Sequence, residues 1–374
     1  MGRNVKAESP VARLNKAEYL EDVMKDVQGV GAPGGALAHK GGKTVISRIV
    51  GMVPWIMIGG LLYAGLFIKP KAVGSAVIPP HIEKRDLLLG TAVVGDTVWL
   101  DGNLGKILKS DDGGLNWAVE TSGTEANLQD MDAWDKDHAV AIGNNATVLV
   151  TADGGTNWKT IPVEHSSVGS KLFRVKVTAS PGEAWIVGEV GAILHTTDFG
   201  QNWKVMRTPE DVIMSDIDAH TPDSLWIVGE YGRMFHSIDR GGSWESLKSP
   251  SNSSLTGVDF RDKDHGLAVG LDGVLLVTSD GGKTWEKVPD DKNPNRQHLF
   301  GVKWDQARQQ WVAVGEKGVW VTVGADFDQV ATGKLSPTDL SSHTKIATLG
   351  DKAIIAGSSP GIWDHAQWQS LVGK

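Results

Sequence analysis

The sequence predicts an all-β fold, a seven-bladed β-propeller built from four-stranded antiparallel blades. An eight-residue box with the pattern Ser/Thr-x-Asp-x-Gly-x-x-Trp occurs five times, ending at Trp117, Trp158, Trp203, Trp244 and Trp285. Successive box tryptophans are 41 or 45 residues apart, and short alternating apolar runs separate the boxes. A fixed period in the forties with such runs is typical of propeller blades. The 15 tryptophans, against 3 tyrosines, agree with a repeated structural use.

The first 48 residues are polar and mixed in charge, and they predict a cytoplasmic tail. Ser9 and Pro10 can open a short amphipathic helix over about residues 11–28, because proline is tolerated at the first helical position. A largely disordered tail is the alternative.

An uncharged run of 20 residues, 49–68, follows the tail. At about 1.5 Å per residue, a helix of this length spans a hydrocarbon layer of about 30 Å, so the run predicts a single transmembrane helix. We expect an uncleaved signal anchor, because the run and the segment before it are both too long for the alternative, a cleaved signal peptide. Gly60 and Ala64 form a small-residue pair that lets another helix pack closely.

More basic residues precede this run than closely follow it. Residues 1–48 contain eight Lys and Arg, whereas residues 69–85 contain four. This bias places the N-terminus in the cytoplasm and the rest of the chain outside. The expected location is therefore the inner membrane of a bacterium, with a linker over residues 69–85 and a periplasmic propeller over residues 86–374.

Composition excludes several classes of function. The chain has no cysteine, which excludes a disulfide scaffold, a thiol nucleophile and a cysteine-ligated metal. Its net charge of −8 argues against nucleic-acid binding, which needs a basic face. The histidines show no metal-ligand spacing, and the glycine pairs lack the strand-to-helix context of a phosphate loop. We therefore expect no metal and no other cofactor.

The box is predicted to be structural rather than catalytic. Its hydroxyl and carboxylate can accept hydrogen bonds from backbone N–H groups in a tight turn, and its glycine supplies a positive φ. Its tryptophan ring is expected to pack into the blade as a clamp. The alternative, a set of catalytic carboxylates, is weakened by their repetition in every copy. These carboxylates belong to Asp112, Asp153, Asp198, Asp239 and Asp280.

A second repeated unit precedes the boxes and adds two blades to the five. It consists of a strand, a turn that ends in glycine, and another strand, as in residues 185–196 and 226–237. The unit recurs at residues 312–329, where the closing tryptophan is replaced, and in a shortened form from Ala353 to Trp368. Counting these two copies gives seven blades.

These patterns resemble the BNR or Asp-box propellers, and most closely the photosynthesis system II assembly factor family. The resemblance covers about residues 86–372 and is clearest at residues 185–203, 226–244 and 267–285. It implies a non-catalytic, seven-bladed protein that binds membrane-protein partners on the extracytoplasmic side. The tail and the transmembrane run depart from the family pattern, and neither a photosystem nor a chloroplast is implied. The expected function is an assembly or accessory subunit of an integral-membrane complex, for which an exporter of the resistance-nodulation-division type is one candidate.

One face of the predicted propeller offers candidate partner-binding residues. If each box joins the third and fourth strands of a blade, the glycine turns join the second and third strands on the opposite face. A ring of carboxylates there would favour a basic loop of the partner, whereas ordinary solvated turns are the alternative. The candidates are Asn103, Asn144, Glu189, Glu230, Arg233 and Glu316.

An enzyme is the competing class of function, because Asp boxes also occur in sialidase-like glycoside hydrolases. Sialidases use a tyrosine nucleophile with an acidic partner and arginines that bind the substrate carboxylate. Tyr231, the only tyrosine after residue 70, lies beside Glu230 and Arg233, but the other arginines are spread over several blades. We therefore predict a protein that is not an enzyme, with a glycan-binding or glycoside hydrolase propeller as the alternative.

Overall fold

The structure, a computed structural model, describes residues 53–55, 57–61, 63, 80–221 and 223–374. The chain divides into two compact units, Met1–Val77 and Ile78–Lys374. In the first unit the described residues are helical, and Gly60 is one of them. Within the described residues, no helix combines the length and the hydropathy needed to cross a bilayer. The predicted tail, most of residues 49–68 and Ala64 lie outside the described residues, so the transmembrane helix stays a prediction.

The second unit consists of antiparallel strands in consecutive groups of four. The groups are β1–β4 (Leu88–Val94, Thr97–Gly102, Ile107–Ser110, Ala118–Glu120), β5–β8 (Leu128–Ala133, Ala139–Gly143, Val148–Thr151, Lys159–Thr160), β9–β12 (Leu172–Val177, Ala184–Gly188, Ile193–Thr196, Lys204–Val205), β13–β16 (Met214–Thr221, Ser224–Gly229, Arg233–Ser237, Glu245–Lys248), β17–β20 (Leu255–Phe260, Gly266–Gly270, Leu275–Thr278, Glu286–Lys287), β21–β24 (Leu299–Asp305, Gln310–Gly315, Val319–Gly324, Val330–Lys334) and β25–β28 (His343–Leu349, Lys352–Gly357, Gly361–Trp363, Trp368–Ser370). Short 3-10 turns join the second and third strands of five groups, at Asn103–Gly105, Glu189–Gly191, Glu230–Gly232, Leu271–Gly273 and Glu316–Gly318.

The groups are arranged as a ring of sheets. Strands β5–β24 form five separate four-stranded sheets, whereas β1–β4 and β25–β28 belong to one eight-stranded sheet. Its two halves meet through one pair between β1 and β26, Leu88 with Gly357. The first strands of successive groups contact one another in chain order, and β25 contacts β1. This arrangement confirms the predicted all-β propeller of four-stranded antiparallel sheets.

A glycine ends the second strand of each group, because the backbone that leads into the first, inner strand of the same group lies too close for a side chain. At Gly102, a Cβ atom would lie 1.9 Å from the carbonyl oxygen of Leu87. The same close approach occurs at Gly315, where a Cβ atom would lie 1.9 Å from the carbonyl oxygen of His298. The repeated glycine of the sequence therefore holds the start of each inner strand against the end of the second strand.

Apolar clusters fill the spaces between successive groups. In one of them, Trp185 of the third group packs with Met214 and Phe235 of the fourth. Four tryptophans on second strands are fully buried within such clusters: Trp99, Trp185, Trp226 and Trp311.

The box tryptophans lie at the boundaries between groups. Apart from Trp117 they are only half-buried, because each box turn lies at the surface where a sheet ends. Their rings pack on clusters that contain residues of two groups, as Trp285 does on a cluster with Leu276 of its own group and Trp226 of the preceding one. The ring centroids of Trp285 and Trp226, for example, are 5.5 Å apart in an edge-on arrangement. The predicted clamp therefore also reaches the neighbouring sheet.

The ring closes where the two ends of this unit meet. Ile82, which the sequence prediction left in the linker, is fully buried and packs in one cluster with Leu371. Its backbone N–H donates to the carbonyl of Lys374 at 2.9 Å, and the N–H of Gly373 donates to the carbonyl of Ile82 at 2.8 Å. Residues 80–85 thus take part in the propeller unit.

Candidate functional site

The ring has two faces that differ in chemistry. The box face carries the five boxes, which join the third and fourth strands of a group. The hairpin face carries the turns between second and third strands, together with the connections that lead into each inner strand. The predicted placement of boxes and turns on opposite faces agrees with the order of the strands.

The boxes are hydrogen-bonded turns. In the first, the N–H of Gly114 donates to Ser110 Oγ at 2.8 Å, and the N–H of Asn116 donates to Asp112 Oδ1 at 2.9 Å. The bond from the backbone of Asn116, followed by bonds from its side chain and from Ser110, lowers the pKa of Asp112 to about 2. The same bonds recur at Asp153, Asp198, Asp239 and Asp280. Each box carboxylate is therefore engaged in its own turn.

The predicted partner-binding residues all lie on the hairpin face, but several are engaged within the chain. One Glu189 Oε2 atom accepts the N–H groups of Ser170 and Lys171 at 3.1 and 3.0 Å. Glu230 Oε1 accepts the N–H of Ile213 at 3.1 Å. These carboxylates therefore support the segments that enter the inner strands.

The other four candidates show a similar pattern. Asn103 Oδ1 accepts the N–H of Leu87 at 2.9 Å, and Asn144 Oδ1 accepts Gln129 Nε2 at 3.1 Å. Arg233 Nη1 donates to Glu210 Oε1 at 2.8 Å. Glu316 is half-buried at the start of the equivalent turn. The structure brings the six residues to one face, and their predicted role in partner binding stays a prediction.

Charged side chains on the inner strands form a network around the central channel, which the sequence analysis did not identify. Asp130, Arg174, Asp216 and Lys345 make one layer, and Asp132, Lys176, Asp218, Asp259 and Lys303 make the next. Residues of both layers line a cavity of about 270 Å³. The available signal was the Asp-x-Asp pattern in β5 and β13, where two apolar-flanked carboxylates share one side of a strand.

The network joins neighbouring groups in two ways. Carboxylates accept backbone N–H groups of the next inner strand, as Asp130 Oδ2 does from Val175 at 3.0 Å. They also form ion pairs: Arg174 Nε lies 3.0 Å from Asp216 Oδ1 of the following group, and Lys345 Nζ of the last group lies 2.5 Å from Asp130 Oδ1 of the second. Because the carboxylates are buried, these bonds hold specific sheets together.

Burial shifts the pKa values of the network. Desolvation raises the pKa of Asp218 to about 6, against the attraction of Lys176, which lowers it. Desolvation lowers the pKa of Lys176, but the attraction of the surrounding carboxylates raises it by more, so the net shift is upward. Asp218 makes the largest contribution among these carboxylates. Lys176 is therefore charged at neutral pH, whereas Asp218 ionises close to pH 6.

Asp218 is expected to make the stability of the ring fall as pH rises from about 4 to about 6. In that window the unfolded chain has lost a proton at its ordinary pKa of 3.8, while the folded chain still holds it. Urea unfolding at pH 4, 5, 6 and 7 measures the effect. As pH rises through this window, the free energy of unfolding of the unmutated protein should fall relative to that of the Asp218→Asn variant. A constant difference between the two proteins would contradict the raised pKa.

Comparisons with known proteins agree with this geometry. The model of the photosynthesis system II assembly factor YCF48 family matches residues 115–212 and 242–321. A solved structure described as YCF48 bound to D1 peptide is similar, with a TM-score of 0.61 and 19% identity over 75% of this chain and 92% of that chain. YCF48 from Cyanidioschyzon merolae gives a TM-score of 0.58 and 16% identity over 75% and 96%.

A propeller with lower sequence identity has a similar degree of structural similarity. The WD40 beta propeller domain of Doa1 gives a TM-score of 0.58 and 10% identity over 74% of this chain and 93% of that chain. No curated protein matches the sequence. At these identities the solved structures establish the fold, and the family model adds the repeat type. The chain is a BNR-type propeller that resembles the photosynthesis system II assembly factors.

Proposed function

We propose that the chain is a non-catalytic assembly or accessory subunit of an integral-membrane complex, held at the membrane by the helix predicted over residues 49–68. The match to the assembly factor family carries this proposal. A similar solved structure is of YCF48 bound to D1 peptide, which supports a polypeptide as the ligand here. An exporter of the resistance-nodulation-division type is one candidate for the complex.

We infer seven blades by dividing the eight-stranded sheet at the pair between Leu88 and Gly357. The division gives two groups of four strands that match the other five in order and pairing. Apolar clusters between successive groups support this count, because one of them joins the first and last groups through Leu88 and Ile354.

The residues on which a glycoside hydrolase would depend favour a binding role. Tyr231 lies at the tip of a turn and is 67% exposed. Glu230 is bonded to the backbone of Ile213, and Arg233 is paired with Glu210. A nucleophile and its acid need to converge on one substrate atom, whereas these contacts hold the Glu230 carboxylate and the Arg233 guanidinium to separate partners.

Photo-crosslinking in cells tests the proposed partner class. A crosslinking amino acid at position 231, on the hairpin face, is expected to attach an integral-membrane protein that mass spectrometry identifies. The control carries the same amino acid at position 238, which is equally exposed on the box face. Crosslinks to soluble proteins alone, or turnover of glycoside substrates that Tyr231→Phe abolishes, would contradict the proposal.

Protease accessibility tests the proposed topology. Protease added to intact spheroplasts should digest the propeller and leave a small protected N-terminal fragment, because the basic residues hold residues 1–48 in the cytoplasm. A propeller that resists until the membrane is broken, although purified propeller is digested under the same conditions, would place it on the cytoplasmic side.

A further inference from the structure

The central channel opens on the hairpin face through an apolar funnel of about 220 Å³. Leu89, Phe173, Ile213 and Phe300 line its wall, and hydroxyl and amide groups of other inner strands complete it. Arg174 is the charged side chain in this lining, and it is paired with Asp130 and Asp216 at 3.6 and 3.0 Å. The funnel is therefore apolar at its wall and electrically neutralised at its base.

Two exposed apolar side chains stand at turn tips on the same face. Leu104 and Tyr231 are the second residues of their turns, with φ of 55° and 53°, and they are 71% and 67% exposed. The left-handed conformation costs a side chain about 1–2 kcal/mol, and glycine, asparagine and aspartate tolerate it best. An apolar residue there gains little from burial within the chain. Backbone strain at an exposed apolar side chain that gains no packing within the chain points to a contact with another molecule.

Charge at the mouth of the funnel does not favour a basic ligand. The carboxylates of Glu189 and Glu230 are occupied by backbone N–H groups, as described above. A cation sits beside the funnel already, since Lys171 Nζ lies 5.5 Å from the centroid of the Phe173 ring. A lysine or arginine entering the funnel would meet Lys171 and Arg174, whereas an uncharged apolar side chain would pack against the apolar part of the wall.

We propose that the funnel and the tips of Leu104 and Tyr231 form one docking surface, and that it receives a polypeptide loop with an uncharged apolar side chain at its apex. Ligand clefts usually measure about 300–1,000 Å³, so a funnel of this size suits one inserted side chain. A flat lipid surface could touch the tips but could not fill the funnel. The loop belongs to the membrane protein of the proposed function. The identity of the partner therefore rests on that proposal.

Peptide selection on the full-length protein tests the chemistry of the loop. The detergent-solubilised chain is immobilised and used to select from a phage library of random dodecapeptides. The peptides expected to be enriched carry leucine, phenylalanine or methionine and lack lysine and arginine. Binding of a selected synthetic peptide should change little between 50 and 500 mM salt. Enrichment of basic peptides whose binding is lost at high salt would overturn the proposal.

Variants locate the binding site without threatening the fold. The double variant Leu104→Asn, Tyr231→Asn is expected to bind the selected peptide about tenfold more weakly, because it loses two apolar anchors. Its melting temperature should stay the same or rise, since asparagine tolerates the left-handed conformation. The matched control is Leu115→Asn, Ile238→Asn, which changes side chains that are 68% and 73% exposed on the box face. Equal affinity of the two double variants would overturn the proposal.

A third variant and a vesicle assay separate the remaining outcomes. Ser215→Arg places a long cation in the funnel and is expected to abolish peptide binding; retained binding would remove the funnel from the site. Binding to phosphatidylglycerol vesicles that the tip variant alone destroys would overturn the proposal in favour of a lipid surface. Peptide binding that depends on the funnel, without any membrane protein crosslinked at position 231, would support this surface and refute the proposed function.

Discussion

Replacing Trp226 with alanine is expected to lower the free energy of unfolding by about 3–5 kcal/mol, the usual cost of removing a large buried aromatic side chain. The indole is 2% exposed and lies between two sheets. It stacks on His236 with ring centroids 4.1 Å apart, and it meets Trp285 of the next group edge-on. Its removal leaves a cavity at a sheet boundary, and the incomplete collapse of such a cavity adds to the lost burial. Urea unfolding measures the loss.

Two comparison variants make this result specific to the boundary between sheets. Trp244→Ala should cost less than Trp226→Ala, because the box ring is half-exposed and has less contact to lose. Leu115→Ala, at a side chain that is 68% exposed, should change the free energy of unfolding by less than about 0.5 kcal/mol. If Trp244→Ala lowered the free energy of unfolding more than Trp226→Ala, the box tryptophan rather than the second-strand tryptophan would contribute most to the stability of the boundary between sheets.

Replacing Asp130 with alanine is expected to cost about 3–5 kcal/mol, as when one partner is removed from a buried ion pair. The carboxylate is fully buried and accepts both Lys345 Nζ and the N–H of Val175. Arg174 lies 3.6 Å away. The substitution leaves a backbone donor without its acceptor and two cations without one of their counter-charges. Thermal and urea unfolding, with crystallographic or NMR confirmation of the fold, measure the effect.

A double-mutant cycle with Lys345→Met separates the charge from the backbone bond. The double variant Asp130→Ala, Lys345→Met should be more stable than the sum of the single effects predicts, because the unpaired cation is gone. Asp130→Asn keeps an oxygen for Val175 while removing the charge, so it should cost less than Asp130→Ala. Additive effects in the cycle would show that Lys345 and Asp130 are not coupled through the channel.

Much of the fold could be predicted because the same local sequence pattern, with the same turn chemistry, recurs several times. Each box places a hydroxyl, a carboxylate and a glycine where a turn needs them, and the contacts of Ser110, Asp112 and Gly114 are the ones expected. The glycine turns could be assigned to the opposite face from strand order alone. Sequence reasoning was less successful with the tryptophans, because the repeat does not distinguish a ring at a sheet end from a ring on a buried second strand such as Trp226.

The candidate site depended on contacts between residues far apart in sequence. Glu189 and Glu230 could be placed at turn tips from the sequence, but the N–H groups that occupy them belong to other segments. Lys345 and Asp130 are brought together only when the last inner strand closes against the first groups. The two residues lie in different repeats, so the repeat pattern does not predict that they pair. The apolar funnel likewise takes one side chain from each of several inner strands.

The sequence by itself determined the all-β class, the four-stranded repeat, the turn chemistry of the boxes and the resemblance to the assembly factors. These features depend on residues within a single repeat, where spacing fixes geometry. The tertiary structure alone decided which tryptophans are buried, which carboxylates are occupied, how Ile82 closes the ring and where the channel is charged or apolar. The physical reason is that these features arise between sheets, where burial and charge pairing depend on neighbours that local sequence does not specify.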